Sequence, residues 1–125
     1  MTAEPPPRTR WPAHVYGTGT EPDYRFTLAN ERTFLAWLRT SLALVAGAVA
    51  LDALATGHSR AVVQVVAGTL VSLGAAGTVL AWLRWSANER AIRRGDPLPG
   101  FGAGAVACVA LLVVAGAAAA LVLLP

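Results

Sequence analysis

Three observations make this chain an all-α membrane protein with three transmembrane helices, its N-terminus cytoplasmic and its C-terminus outside. Of its 125 residues, 55% are hydrophobic and 14% charged, the balance of a small integral membrane protein rather than a soluble domain. Two long runs carry no charge at all, Ala61 to Leu83 and Pro97 to Pro125. The arginines, finally, gather on one side of the predicted spans.

Taken in order, residues 1–22 contain Pro5-Pro6-Pro7 and few apolar residues. This composition predicts a disordered cytoplasmic tail. A cleaved signal peptide is not expected, because the first apolar run begins beyond residue 30. Residues 23–125 form the predicted membrane domain. Its first span, about 34–56, holds Arg39 near one end and Asp52 near the other, and charges so placed can reach the interface. Asp52 is expected near the outer interface, close to Arg60.

The second span, 61–83, is about 35 Å of helix, enough to cross a bilayer. Gly57-His58-Ser59-Arg60 reads as a tight turn before it. The basic loop 84–99 reads as the same helix running on out of the membrane, stopped by Gly95 with Asp96-Pro97 after it. The third span is about 100–124. With three spans, Arg8, Arg10, Arg25, Arg32, Arg39, Arg84, Arg90, Arg93 and Arg94 share one side and Arg60 stands alone on the other. Positive-inside bias makes the crowded side cytoplasmic.

Two short words recur. "ANER" occupies residues 29–32 and 87–90, and "LAWLR" occupies 35–39 and 80–84. Their order is reversed in the two places, so no domain is duplicated. Both places fall at the cytoplasmic interface, where Trp37, Trp82 and Trp85 form an aromatic belt. Shared interfacial chemistry and chance account for the repetition.

Arg25, Arg32 and Arg39 are spaced by seven, which keeps them on one helical stripe drifting about 20° per step. Ala29, Ala36, Ala43, Gly47 and Ala50 fill that small, basic face. Phe34, Leu35, Leu38, Leu42, Val45 and Val49 make the opposite face bulky, and lipid is expected to meet it. The small face suits close helix packing or a cavity lining. Gly74, Gly77 and Ala81 make a comparable face on the second helix, leading to Arg84. Two readings follow. Either Arg25, Arg32, Arg39 and Arg84 form a basic mouth for phosphate-like anions, or they snorkel to headgroups, pair with Glu31 or Glu89, and fix topology.

The single Cys108 lies among small apolar residues and is expected to pack there. His14 and His58 have no ligand-spaced partners. No metal site, cofactor site, nucleophile–base pair or phosphate-cradling glycine loop is recognisable, so no enzyme activity is expected. The third helix is rich in small residues, from Gly102 and Ala103 to Ala115–Ala120, which favours self-association. The expected partners are the lipid bilayer, further copies of the chain, and phosphate or polyphosphate, with no nucleic acid.

"LANERTFLAWLRTSLAL" (residues 28–44) closely resembles the signature of the YidH-like family of small bacterial inner-membrane proteins, the domain of unknown function 202. Its motif positions here are Asn30, Glu31, Arg32, Thr33 and Trp37. "LRWSANERAIRRGDPLP" (residues 83–99) resembles that family's second loop. The resemblance covers about residues 23–125 and implies a multi-pass protein of the inner membrane. The same fold resembles the membrane part of the eukaryotic vacuolar transporter chaperone, whose three-helix units form a ring with basic helices lining a polyphosphate path. That resemblance implicates Arg25, Arg32 and Arg39. The chain has no soluble polymerase or phosphate-sensing domain, so polyphosphate synthesis is not implied. An anion-binding or conducting oligomer is one functional expectation; a non-catalytic scaffold or accessory subunit is the alternative.

Overall fold

A computed structural model describes residues 9–123, with the side chains of residues 121 and 122 excepted. Residues 1–8, which include Pro5-Pro6-Pro7 and Arg8, and residues 124–125 lie outside the described residues. Four helices follow in order: α1 (Ala13–Tyr16), α2 (Tyr24–Leu54), α3 (Arg60–Arg94) and α4 (Gly102–Leu123). Among the described residues there are no strands. Three of the helices are long and apolar enough to cross a membrane.

Helices α2 and α3 have 31 and 35 residues. At 1.5 Å per residue α3 is about 52 Å long, well beyond the roughly 30 Å hydrocarbon layer. Both helices therefore extend past the membrane at the arginine-rich end. Local chemistry sets their limits. Asp23 accepts a bond from the Arg25 N–H at 2.9 Å and starts α2. Gly95 adopts a left-handed φ of 70° and ends α3, and the Asp96 N–H closes back on the Ala91 carbonyl at 2.9 Å. At the opposite end Gly57 turns the chain with φ 84°, and Arg60 pairs with Asp52 at 3.0 Å as the sequence predicts.

The α2–α3 pair is the core. Asn30, Ser41 and Ala48 of α2 are buried, with Phe34, Trp37, Leu44 and Leu51 half-buried between them. Their spacing alternates between three and four residues, the pattern of a left-handed helical seam. Gly74 and Gly77 let α3 approach closely. A Cβ on Gly74 would stand 2.8 Å from Val45 Cγ2 and 2.9 Å from the Ser41 carbonyl, and one on Gly77 would stand 2.6 Å from Ser41 Oγ.

This corrects the expectation that the whole bulky face of α2 meets lipid. Leu35, Leu42 and Val49 are exposed, whereas Phe34, Leu38 and Val45 turn partly into α3. The glycines of α3 supply the room, so only one of the two facing surfaces has to be small.

Among the described residues, helix α4 leans on α3 alone at the backbone level. Phe101 anchors it, its ring seated over Gly104 and beneath the Arg84 guanidinium, 4.7 Å from the ring centroid. A cavity of 140 Å³ separates the rest of α4 from Trp37 and Leu44. Another of 450 Å³ opens at the far end, bounded by Gly47, Ala50, Leu70 and Val114. Cys108, expected to pack, is exposed on α4, because no other helix among the described residues covers that face.

Residues 9–22 belong to the tail for which the sequence predicts disorder. They fold as a strap across the projecting end of α3. Val15 is fully buried, and Trp11 lies on Trp82 with ring centroids 5.6 Å apart. The segment has few apolar residues, but α3 projects far enough to give Val15 and Tyr16 a surface.

Candidate functional site

The candidate features lie at the arginine-rich end. The deepest is a polar clamp between α2 and α3. Glu89 is fully buried, and among the described residues it has no salt bridge. Its carboxylate accepts from Thr27 Oγ1 at 2.9 Å and from Asn30 Nδ2 at 3.1 Å. Asn30 Nδ2 also donates to the Trp85 carbonyl at 3.0 Å, and Asn88 Nδ2 donates to Asn30 Oδ1 at 3.2 Å. A buried carboxylate is costly unless its oxygens are satisfied. Here neutral donors from the facing helix meet that need.

The clamp also explains the repeated word. Asn30 of the first "ANER" interlocks with Asn88 and Glu89 of the second. The repetition is thus a contact between antiparallel helices, beyond shared interfacial chemistry. The glutamates have opposite fates: Glu89 is buried and Glu31 is exposed. Neither makes the arginine pairing expected of it among the described residues.

A second feature holds the strap. The Arg93 side chain is only 6% exposed. Its Nε donates to the Thr18 carbonyl at 3.2 Å, and its Nη2 to Glu21 Oε2 at 2.9 Å and to the Tyr16 carbonyl at 3.4 Å. The guanidinium also stands 5.3 Å from the Tyr16 ring centroid. In return the Thr20 N–H donates to the Arg93 carbonyl at 2.9 Å. Gly19, with φ 63°, allows this approach, for a Cβ there would overlap the Arg93 carbonyl. The bonds from Arg93 and Arg10 hold the Glu21 carboxyl below its ordinary range. Burial, then the charges of Glu89 and Glu31, push the Tyr16 hydroxyl up.

Phe34, Trp82 and Trp85 stack beneath the strap, with Trp82–Trp85 centroids 5.1 Å apart and Phe34 6.2 Å from Trp85. Trp37 of the predicted belt instead faces the cavity beside α4.

The predicted anion-binding residues divide. Arg25, Arg32 and Arg39 are exposed and lie about 170° around α2 from the seam, at 100° per residue. Arg25 approaches Asp23 at 4.0 Å. No hydrogen bond or ion pair engages the side chains of Arg32 and Arg39 among the described residues. Arg84 is on α3, turned toward α4 and Phe101. One chain therefore does not bring Arg84 to the α2 stripe.

Between α2 and the projecting part of α3 lies an open groove of 450 Å³. Phe26 and Leu98 form apolar walls, and Asn30, Thr33, Asn88 and Asp96 supply polar atoms. Asn88 Oδ1 is buried there without a hydrogen-bond partner.

Of the motif residues, Asn30 belongs to the clamp, Thr33 to the groove, Arg32 to the exposed stripe and Trp37 to the α4 side. Sequence reasoning missed the importance of Thr27, Glu89, Arg93 and Gly19. The alternating spacing of residues 27, 30, 34, 37, 41, 44 and 48 was the signal that could have found the seam.

Fold and clamp together define a small, three-span membrane protein whose first two helices are locked by a buried Asn–Glu contact. Residues 25–91 match the DUF202 family, a domain of unknown function, and the chain belongs to that family. It is 43% identical over 98 residues to the inner membrane protein YidH of Escherichia coli K12, covering 78% of this chain and 85% of that protein. It is 48% identical over 109 residues to the uncharacterised protein Rv2272 of Mycobacterium tuberculosis, covering 84% and 87%. No solved structure matches the chain. The protein is a multi-pass protein of the inner membrane.

Proposed function

We propose that this protein works as a homo-oligomer whose α2 helices present a basic surface to phosphate or polyphosphate at the cytoplasmic face, binding or conducting the anion. One observation carries the reading: Arg25, Arg32 and Arg39 form an exposed stripe directed away from the seam, on a helix whose other charged residues are Glu31 and Asp52. Arginine at a membrane boundary is stabilised by water, an anion or a partner, and a guanidinium grips phosphate oxygens in pairs. Ala29, Ala36, Ala43 and Gly47 on the same face would let a second copy approach closely. Arg84 would join the stripe only from a neighbouring subunit. The arginine distribution supports a cytoplasmic N-terminus, and the resemblance to the vacuolar transporter chaperone supports the choice of anion.

The test is anion efflux from proteoliposomes loaded with phosphate or short polyphosphate, comparing wild type with Arg32→Ala at equal oligomer content. Flux or binding that falls in the variant supports the proposal. Equal binding by an intact Arg32→Ala oligomer rejects it.

The loosely seated α4 favours a second reading, a non-catalytic scaffold for another membrane protein. Its exposed apolar side chains, Val106, Val109 and Leu112 among them, are available to a partner helix. Purification of the wild type from mild detergent in fixed ratio with one other membrane protein would favour this reading, and recovery of the chain alone would count against it.

A further inference from the structure

We infer that the groove between α2 and the projecting end of α3 is a phospholipid headgroup site selective for a primary ammonium, that is, for an ethanolamine-type phospholipid. Three features of the groove point to this ligand.

Its unsatisfied polar atoms are acceptors. Asn88 Oδ1 is buried with no hydrogen-bond partner, and the Asp96 carboxylate at the rim has no ion pair among the described residues. Asn88 Nδ2 directs one of its two N–H groups to Asn30 Oδ1 at 3.2 Å. A buried acceptor without a donor is a standing cost, and a ligand that brings N–H groups and positive charge removes it. A primary ammonium has three such donors. A trimethylated ammonium has none.

The walls are apolar and open. Phe26 is 60% exposed and Leu98 62% exposed, and both line the groove. On α3 the groove is lined by residues beyond Trp85, from Asn88 onward, where the projecting helix meets the lipid headgroups. Side chains that would be unfavourable in water are well placed there.

The charge pattern matches a zwitterion. Ala29 lines the groove and lies one helical turn from both Arg25 and Arg32, so the arginine stripe begins where the groove wall ends. A phosphate held by those arginines would sit beside an ammonium held by Asp96 and Asn88. The phosphate half of this arrangement rests on the anion-binding proposal above. The ammonium half does not.

The experiment is native mass spectrometry of the delipidated full chain offered equal amounts of ethanolamine, choline and glycerol phospholipids with identical acyl chains. The wild type is expected to retain the ethanolamine lipid over the choline lipid by about tenfold, the worth of a charge-assisted hydrogen bond. Asp96→Asn is expected to remove most of that preference. Because Asp96 is exposed and follows α3, this change leaves the helices folded. Asn88→Ala should act in the same direction, with circular dichroism confirming helix content. Equal retention of ethanolamine and choline lipids, or an undiminished preference in Asp96→Asn, overturns the inference. Displacement of the lipid by soluble phosphoethanolamine at equal concentration also overturns it, since the ligand would then be a free solute. Arg32→Ala separates the two proposals. It should weaken all three lipids alike, and an unchanged ethanolamine preference with no loss of phosphate binding would sink the anion reading alone.

Discussion

Asn30 and Glu89 lie 59 residues apart and meet in the buried seam between α2 and α3, where Asn30 Nδ2 donates to Glu89 Oε2 at 3.1 Å. The same nitrogen also holds the Trp85 carbonyl. One amide thus meets one oxygen of a buried carboxylate, with Thr27 on the other, and fixes the register of two antiparallel helices. Hydrogen bonds between membrane helices are worth only about 0.6 kcal/mol on average. A buried charge makes this one matter more.

Asn30→Ala should therefore lower stability by about 2 kcal/mol, within the range for a bond to a charged group. Asn30→Asp should cost more, since it sets two carboxylates together. Unfolding by sodium dodecyl sulfate in mixed micelles, followed by circular dichroism, measures both. Wild-type stability in either variant would show that the clamp contributes little.

Close approach at Gly74 gives a second expectation. Gly74→Val should weaken the α2–α3 seam by about 1–3 kcal/mol, as overpacking does, because its Cβ alone would crowd Val45 and Ser41. Gly68 has nothing within 4 Å, so Gly68→Ala should be neutral or mildly stabilising. The same unfolding assay should separate them, and equal effects would contradict the packing described.

Gly19→Ala should release the strap without unfolding the membrane helices. Its Cβ would overlap the Arg93 carbonyl, and its φ of 63° is unfavourable for alanine. Hydrogen exchange should show faster exchange at Thr20, whose N–H is bonded to Arg93, with α2 and α3 unchanged. Unaltered exchange at Thr20 would mean that the strap is held elsewhere.

Strap docking should also depend on pH from both sides. The Glu21 carboxyl is lowered from 4.5 by its bonds to Arg93 and Arg10. It stabilises the docked strap above 4.5, and that contribution is lost as pH falls through the docked value. The Tyr16 hydroxyl is raised from 10.0 chiefly by burial. Its contribution is present below 10.0 and is lost as pH rises through the docked value. Tryptophan fluorescence, reporting Trp11 on Trp82, should show a plateau near neutrality that falls on both sides. Glu21→Gln should abolish the acid limb; an unchanged acid limb would assign it to another group.

Hydropathy and charge in the chain determined the three spans and the crowding of arginine at one end, because bilayer thickness and backbone satisfaction leave a helix little freedom. The Gly95 stop and the Asp52–Arg60 pair were legible for the same reason: each depends on residues close in sequence. Tertiary structure alone decided which face of α2 is inside. Both the arginine stripe and the 27–30–34–37–41 stripe have the spacing of a helical face, and periodicity cannot say which one a neighbour will cover. The choice fell to Gly74 and Gly77, whose missing side chains let α3 close on Ser41. It also fell to Asn30, whose amide could reach a carboxylate 59 residues away. The strap was hidden for a related reason. Composition counts how few apolar residues a segment has, but not whether a projecting helix will meet them.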